Sequence, residues 1–148
     1  MIEITGLDEM RARLKMLDEG IRTQYVLNAV KAGAAVIKDA MIEAAPILDE
    51  KTAKSTSLEP GELKADIKAR TKMDKDGFAV SHIGPSKRTG YVARFLEFGH
   101  RLTKGKHGHQ IGEVRPHPFL RAAFEASEAE AIDVFKATLR DEIAGGLK

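Results

Sequence analysis

The longest helical pattern in the chain runs from Ile21 to Ala45 and ends before Pro46. Its members are apolar or small and recur every fourth position: Ile21, Tyr25, Ala29, Gly33, Ile37 and Met41. This spacing predicts a single helix of about 37 Å, long enough to brace a whole domain. Small residues crowd its middle, so we expect another backbone to approach closely there. The pattern is typical of a core helix packed on a sheet.

Shorter patterns on either side predict three further helices. Leu7, Met10, Leu14 and Leu17 follow helical spacing before Gly20. A helix at 89–98 can be capped by Ser86 or Thr89 and is stopped by Gly99. A C-terminal helix begins after Pro118 and ends at Gly145-Gly146. Its predicted stripe is Leu120, Phe124, Ala131, Phe135, Leu139 and Ile143.

The middle of the chain alternates apolar and polar residues with the period of a strand. We predict a strand over 63–73, a turn at the sequence DKDG over 74–77, and an antiparallel partner strand over 78–84. The polar stretches 46–61 and 99–117 are predicted to be long loops. The expected fold is α+β, a single domain over 1–148. An antiparallel β-sheet packs against a long N-terminal helix, a short central helix and a C-terminal helix.

Composition excludes several classes of site and protein. The chain contains no cysteine, which removes disulfides, thiolate metal sites and cysteine catalysis. No apolar run approaches the ~18 residues of a membrane span, and the acidic N-terminus does not resemble a signal peptide. We therefore expect a soluble protein made in the cytoplasm, without membrane contact. Nucleophile, phosphate-loop, dinucleotide and zinc-protease motifs are all missing, so neither an enzyme nor a cofactor is predicted.

Positive charge is concentrated in one segment of the sequence. Between His82 and Arg121 there are eight Lys or Arg residues against two Glu, although the whole chain carries a net charge of only +2. Such asymmetry favours a surface that meets an acidic partner, although a solvated loop is the simpler alternative. The predicted partner or oligomer interface consists of Arg101, Lys104, Lys106, His107, His109 and Arg115.

Four of the five histidines lie between positions 100 and 117, which raises the question of a metal site. Glu113 is the only acidic residue within that stretch, and Lys and Arg surround it. Nearby cations disfavour a divalent metal ion, and a glycine-rich loop does not hold ligands in place. The pattern favours a loop that meets a partner over a metal centre.

The segment YVARFLEFGH at 91–100 precedes this loop and holds three of the eight aromatic residues. Tyr91, Phe95 and Phe98 follow helical spacing, so we expect them to be buried and to fix the root of the loop. The predicted structural anchor comprises Tyr91, Phe95, Leu96, Phe98, Gly99, Pro118, Phe119 and Leu120.

Three motifs together resemble a known family. GYVARFLEFG at 90–99 is similar to the Y-x-x-(F/Y)-L-E-F-G signature of a tail-component family of long-tailed bacteriophages, the neck or tail-completion proteins similar to minor tail protein Z. RPHPFLRAAF at 115–124 resembles the segment that opens the last helix of that family. AAP followed by GELKADIKAR resembles its Ala-Pro and Gly-x-Leu segment, with about fifteen residues replacing a short connection.

The resemblance implies a non-enzymatic structural protein of the virion, made in the host cytoplasm. It would act at the head–tail junction, completing the tail or joining it to the capsid. Other neck and tail proteins would be its partners, and a tail would impose a homo-oligomeric ring, six-fold by expectation. The alternative is a nonspecific DNA-contacting protein of the same neck, where Lys and Arg of the 99–117 loop meet packaged DNA.

Overall fold

A computed structural model describes residues 6–50, 56–104 and 108–146 of the chain. Within these residues there are five helices and two separate two-stranded antiparallel sheets. The helices are α1 (Leu7–Leu14), α2 (Glu19–Ala44), α3 (Glu62–Asp66), α4 (Lys87–Phe98) and α5 (Phe119–Gly146). The strands are β1 (Lys68–Met73), β2 (Ala79–Gly84), β3 (His100–Lys104) and β4 (His109–Val114). The predicted α+β class is confirmed.

The two long helices α2 and α5 pack along each other and form the main axis of the fold. The Asp18 side chain caps α2 by accepting a hydrogen bond from the Gly20 amide at 2.9 Å. The predicted small-residue stripe of α2 makes the close approach possible. Ala29 is fully buried, and an ideal Cβ on Gly33 would lie 2.8 Å from the Ala131 carbonyl oxygen. The expected backbone contact is therefore with α5, while β1 and β2 also pack on α2.

Replacing Gly33 with alanine is expected to destabilise the protein by about 1–2 kcal/mol. A methyl group there overpacks against α5 backbone, which outweighs the ~1 kcal/mol gained in helix propensity. Gly90→Ala in α4 is the matched control, because a Cβ there meets nothing within 4 Å. We expect that control to be stabilising by about 0.5–1 kcal/mol. Urea denaturation measures both, and equal stabilisation by the two substitutions would disprove the close approach.

The buried side chains form a core on both sides of this axis. Met41, Leu63, Ala93, Phe119 and Ala123 connect α2, α3, α4 and α5. A second cluster of Met10, Ala29, Leu139 and Ile143 joins α1 to the two long helices. A third cluster places Leu48 and Leu58 against Val92 of α4. The described parts of the predicted 46–61 loop are thus anchored by their leucines, while residues 51–55 lie outside the described residues.

The predicted strand over 63–73 is half wrong. Residues 62–66 form the short helix α3, and the strand begins only at Lys68. Gly61 precedes α3 as its N-cap residue and has a left-handed backbone conformation, at φ 85°. Leu63 and Ile67 are four residues apart, a spacing that fits one face of a helix and also one face of a strand. Both are buried in the core cluster that includes Met41 of α2. Because the sequence pattern fits either structure, packing against the core determines that a helix forms here.

The predicted DKDG turn is confirmed. The Asp74 carboxylate accepts hydrogen bonds from the amides of Asp76 and Phe78, and Gly77 adopts φ 83°. The turn sets an antiparallel register in which Arg70 lies opposite His82.

The predicted loop at 99–117 is instead a β-hairpin. β3 pairs with β4 from His100↔Val114 to Lys104↔His109, with an irregularity between Leu102 and Thr103. Most of β3 is exposed, so neither face imposes the apolar alternation by which a strand is recognised in sequence. Residues 105–107 at its tip lie outside the described residues.

Candidate assembly surface

A hydrogen-bond cluster fixes the start of α4. The Asp66 carboxylate accepts from the Ser86 hydroxyl at 2.6 Å, the Ser86 amide at 3.1 Å and the Thr89 hydroxyl at 2.6 Å. The Ser86 hydroxyl in turn accepts from the Arg88 amide and caps the helix. Arg88 also pairs with Glu62 of α3. These contacts hold α4 in one orientation on α3.

The Asp66 cluster makes stability depend on acid. Hydrogen bonds from Ser86 and then Thr89 lower the pKa of Asp66 below its ordinary value. The contribution is complete above the unfolded-state pKa near 4 and is lost as the pH falls through the lower folded-state pKa. We expect Asp66→Asn to cost about 2 kcal/mol at neutral pH, and this cost to shrink steadily as the pH falls from about 5 through the folded-state pKa. Urea denaturation across that pH range tests the prediction. The control is Asp133→Asn at an exposed position of α5, and a cost of Asp66→Asn that stays constant on acidification would contradict it.

The inward face of α4 differs from the predicted one. Thr89, Val92, Ala93 and Glu97 are buried, whereas Tyr91, Phe95 and Phe98 are 42%, 43% and 63% exposed. The expectation that these three aromatic residues are buried anchors is therefore wrong for this chain. Both sets have helical spacing, and the small inward side chains allow α4 to approach the α2–α5 core. Of the other predicted anchor residues, Phe119 is buried, Leu96 and Leu120 pack against the same core, and Pro118 is exposed.

The exposed rings form one ordered surface, which we call the aromatic face: Tyr91, Phe95, Phe98, His100 and Leu102. Tyr91 and Phe95 meet edge to face with centroids 6.3 Å apart. Phe95 lies on the His100 ring at 4.5 Å. The Tyr91 hydroxyl donates to the Thr56 carbonyl at 2.6 Å. Tyr91, Phe95 and His100 thus contact one another in sequence along the face.

A groove runs beside the aromatic face. It has a volume of about 510 Å³ and is lined by Leu48, Tyr91, Phe95, Leu102 and Val114 among others. His100 borders it, and its buried Nδ1 atom has no hydrogen-bond partner among the described residues. A contiguous apolar surface of this kind marks an interaction site. Aromatic residues and arginine are enriched in protein–protein interfaces, and here Arg94 lies beside Tyr91, Phe95 and Phe98.

Three of the predicted interface residues lie in or directly after the hairpin that carries His100 and Leu102 of the aromatic face. Arg101, Lys104 and Arg115 are exposed on or beside the β3–β4 hairpin, and Glu113 lies opposite Arg101. We call Arg94, Arg101, Lys104 and Arg115 the basic rim. Lys106 and His107 lie outside the described residues; the backbone of His109 is in β4, but its side chain is not described.

A compact joint, comprising Leu96, Glu97, Gly99, His117 and Leu120, connects the aromatic face to α5. The Glu97 carboxylate accepts from the Leu120 amide at 3.0 Å and the Arg121 amide at 3.1 Å, so it caps α5. The His117 amide donates to the Leu96 carbonyl at 2.6 Å. At Gly99, φ is 69°, and an ideal Cβ would lie 2.5 Å from the Val114 carbonyl oxygen. Gly99 therefore sits where the backbone of α4 closely approaches that of β4.

The described side chains include no group of three His, Asp or Glu residues that could hold a metal ion. The imidazole of His100 instead faces Phe95, and His117 is exposed beside the joint. The arrangement is suited to binding another macromolecule through an apolar centre and a charged border.

A family model for the HK97-gp10-like bacteriophage tail components matches residues 8–99, which is more than half of the chain. The chain belongs to this family. The match runs from α1 to the end of α4 and includes the GYVARFLEFG segment, while the β3–β4 hairpin and α5 follow it. No curated protein and no solved structure matches significantly.

Family membership makes this protein a structural component of the phage tail or its assembly, which works with other tail proteins in the virion. Among the described residues, no helix combines the length and apolarity needed to cross a membrane. The residues of the family signature at 90–99 have two different structural roles. Glu97 and Gly99 build the internal joint, while Tyr91, Phe95 and Phe98 of the same segment face outward.

Proposed function

We propose that this tail component acts at the head–tail junction, where it completes the tail or joins it to the capsid as a homo-oligomeric ring. The observation that carries the proposal is the aromatic face, because a chain with only eight aromatic residues exposes three of them on one helix. A ring subunit needs two different complementary patches, one for each neighbour. The aromatic face with its basic rim supplies the first patch.

The first half of α5 supplies a complementary patch. Between Phe124 and Phe135 the helix carries Glu125, Glu128, Glu130 and Asp133 and has no Lys or Arg. Glu125, Glu130 and Asp133 are exposed, and Phe124, next to Glu125, is 44% exposed. An exposed acidic helix surface complements an apolar groove that has basic residues nearby. In the proposed ring, α5 of one subunit meets the aromatic face of the next.

Loss of assembly should follow from changes to the aromatic face. Phe95→Glu puts a charge at the centre of the contact, and Arg101→Glu/Lys104→Glu reverses the rim. Both variants should remain folded but run as monomers in size-exclusion chromatography with light scattering. In phage complementation they should leave full heads and finished tails unjoined in electron micrographs. Lys15→Glu/Lys31→Glu is the control, because both lysines are exposed on other elements.

A charge exchange tests which patches meet. Adding Glu130→Lys/Asp133→Lys to the rim-reversed variant should restore oligomers, because the two patches then attract again. Failure of that rescue would contradict the α5 contact. Wild-type protein that stays monomeric, together with normal phage yield from Phe95→Glu, would overturn the proposed function itself.

A further inference from the structure

The β1–β2 hairpin carries a row of cations that the assembly surface does not use. Lys68, Arg70 and Lys72 are exposed, and the intervening Ala69, Thr71 and Met73 are less so. Alternate residues of a strand point to the same face and lie about 6.6 Å apart. On this face the cross-strand neighbours are Gly84, His82 and Val80. The result is a straight basic row about 13 Å long from Lys68 to Lys72.

The charges of this row are largely free to meet a ligand. Neither Arg70 nor Lys72 is in an ion pair in the parts of the chain that the structure describes. Lys68 lies 3.8 Å from Asp66, whose carboxylate already accepts from Ser86 and Thr89. Lys68, Arg70 and His82 line a crevice of about 160 Å³, with Asp66 and Ser86 at its side. Asp66 offsets one positive charge at the inner end. At the outer end Asp74 follows two residues after Lys72, with its carboxylate bonded to the Asp76 and Phe78 amides of the turn.

From this row we infer that the β1–β2 face binds the phosphate backbone of double-stranded DNA without reading its sequence. DNA presents about one phosphate per 1.7 Å of its axis, so a rigid row of three cations meets phosphates in any register. The hairpin offers no helix to enter a groove, and phosphate contacts alone carry no sequence information. Apolar side chains do not occupy the middle of this face, where Arg70 lies opposite His82; Val80 and the exposed Phe78 lie toward the turn.

This site is separate from the proposed ring contact. It lies on β1 and β2, whereas the aromatic face lies on α4 and β3. It is also distinct from the segment 99–117, for which the sequence predicts nonspecific DNA contact. A single subunit would bind weakly and with strong salt dependence, because three phosphate contacts give a slope of log K against log salt near −3. Several subunits around one duplex would add their contacts.

Fluorescence anisotropy with a labelled duplex of about 20 base pairs, titrated between about 50 and 200 mM salt, tests the inference. The row variant is Lys68→Glu/Arg70→Glu/Lys72→Glu. Two variants match its change in net charge: Arg11→Glu/Lys15→Glu/Lys31→Glu on α1 and α2, and Arg101→Glu/Lys104→Glu/Arg115→Glu at the rim. We expect the row variant to lose at least tenfold more affinity than either one and its salt slope to fall by about 2 to 3.

Equal losses in the row variant and the α1–α2 variant would overturn the inference, as would a loss confined to the rim variant. A labelled polyglutamate of equal charge should bind at least tenfold more weakly than DNA, and equal binding would also overturn it. Single variants Arg70→Gln and Lys72→Gln repeat the measurement if the triple variant does not fold. The row variant should still form oligomers, so its outcome is distinguishable from failure of the ring proposal.

Discussion

Gly99→Ala is expected to destabilise the protein by about 3–5 kcal/mol, because two separate costs act at one residue. At φ 69° and ψ 173°, Gly99 adopts a backbone conformation that is essentially restricted to glycine. A Cβ would also lie 2.5 Å from the Val114 carbonyl oxygen and 3.0 Å from Pro116. Neither neighbour is the free end of a flexible side chain. The joint must therefore open, which separates the hairpin from α4.

Gly77→Ala separates these two costs. Gly77 has φ 83°, but a Cβ there would meet nothing within 4 Å, so only backbone strain of about 1–2 kcal/mol is expected. Urea denaturation of both variants gives the difference in the free energy of unfolding. Similar losses in the two variants would show that the contact with β4 and Pro116 contributes nothing.

Glu97→Ala is expected to destabilise the protein by about 3 kcal/mol. Glu97 is 8% exposed, and its two carboxylate oxygens accept hydrogen bonds from separate amides at the start of α5. Bonds to a charged group contribute about 1.5–3 kcal/mol, and a negative charge is favoured at a helix N-terminus. Removal leaves both amides without this acceptor and leaves a cavity beneath α4.

Two variants make this prediction specific. Glu97→Gln keeps the shape and one acceptor oxygen, so about half the loss is expected. Asp18→Ala removes a single exposed cap from α2 and should cost about 1 kcal/mol. Urea denaturation compares the three. If Glu97→Ala costs no more than Asp18→Ala, the Glu97 contact does not hold α4 and α5 together.

The elements that were predictable have local causes. A four-residue repeat of small and apolar residues sufficed for α2, and an Asp-x-Asp-Gly sequence sufficed for the β1–β2 turn. The basic segment was also visible from charge alone, and the motifs led to the family that the comparison shows. In each case the signal lies within the element that it specifies.

The missed features depend on residues far apart in the chain. Tyr91, Phe95 and Phe98 share the helical spacing of the buried set, so only packing against α2 and α5 determines which face of α4 is outward. The β3–β4 hairpin has little buried surface to set an apolar alternation. The cap on α5 comes from Glu97, 23 residues before the amide it binds, and no local motif marks such a pair.

The pairing of α2 with α5 has a consequence for synthesis of the chain. A ribosome completes α2 long before it reaches Phe119, so the stripe around Ala29 and Gly33 emerges without the surface that covers it. Met10 of α1 packs in the same cluster as Ile143 near the end of α5, so its side chain is likewise uncovered until that part of α5 is made. The nascent protein must keep this apolar surface from wrong contacts until α5 has been synthesised. Folding of the α2–α5 core is therefore expected to begin only after that helix has emerged from the ribosome.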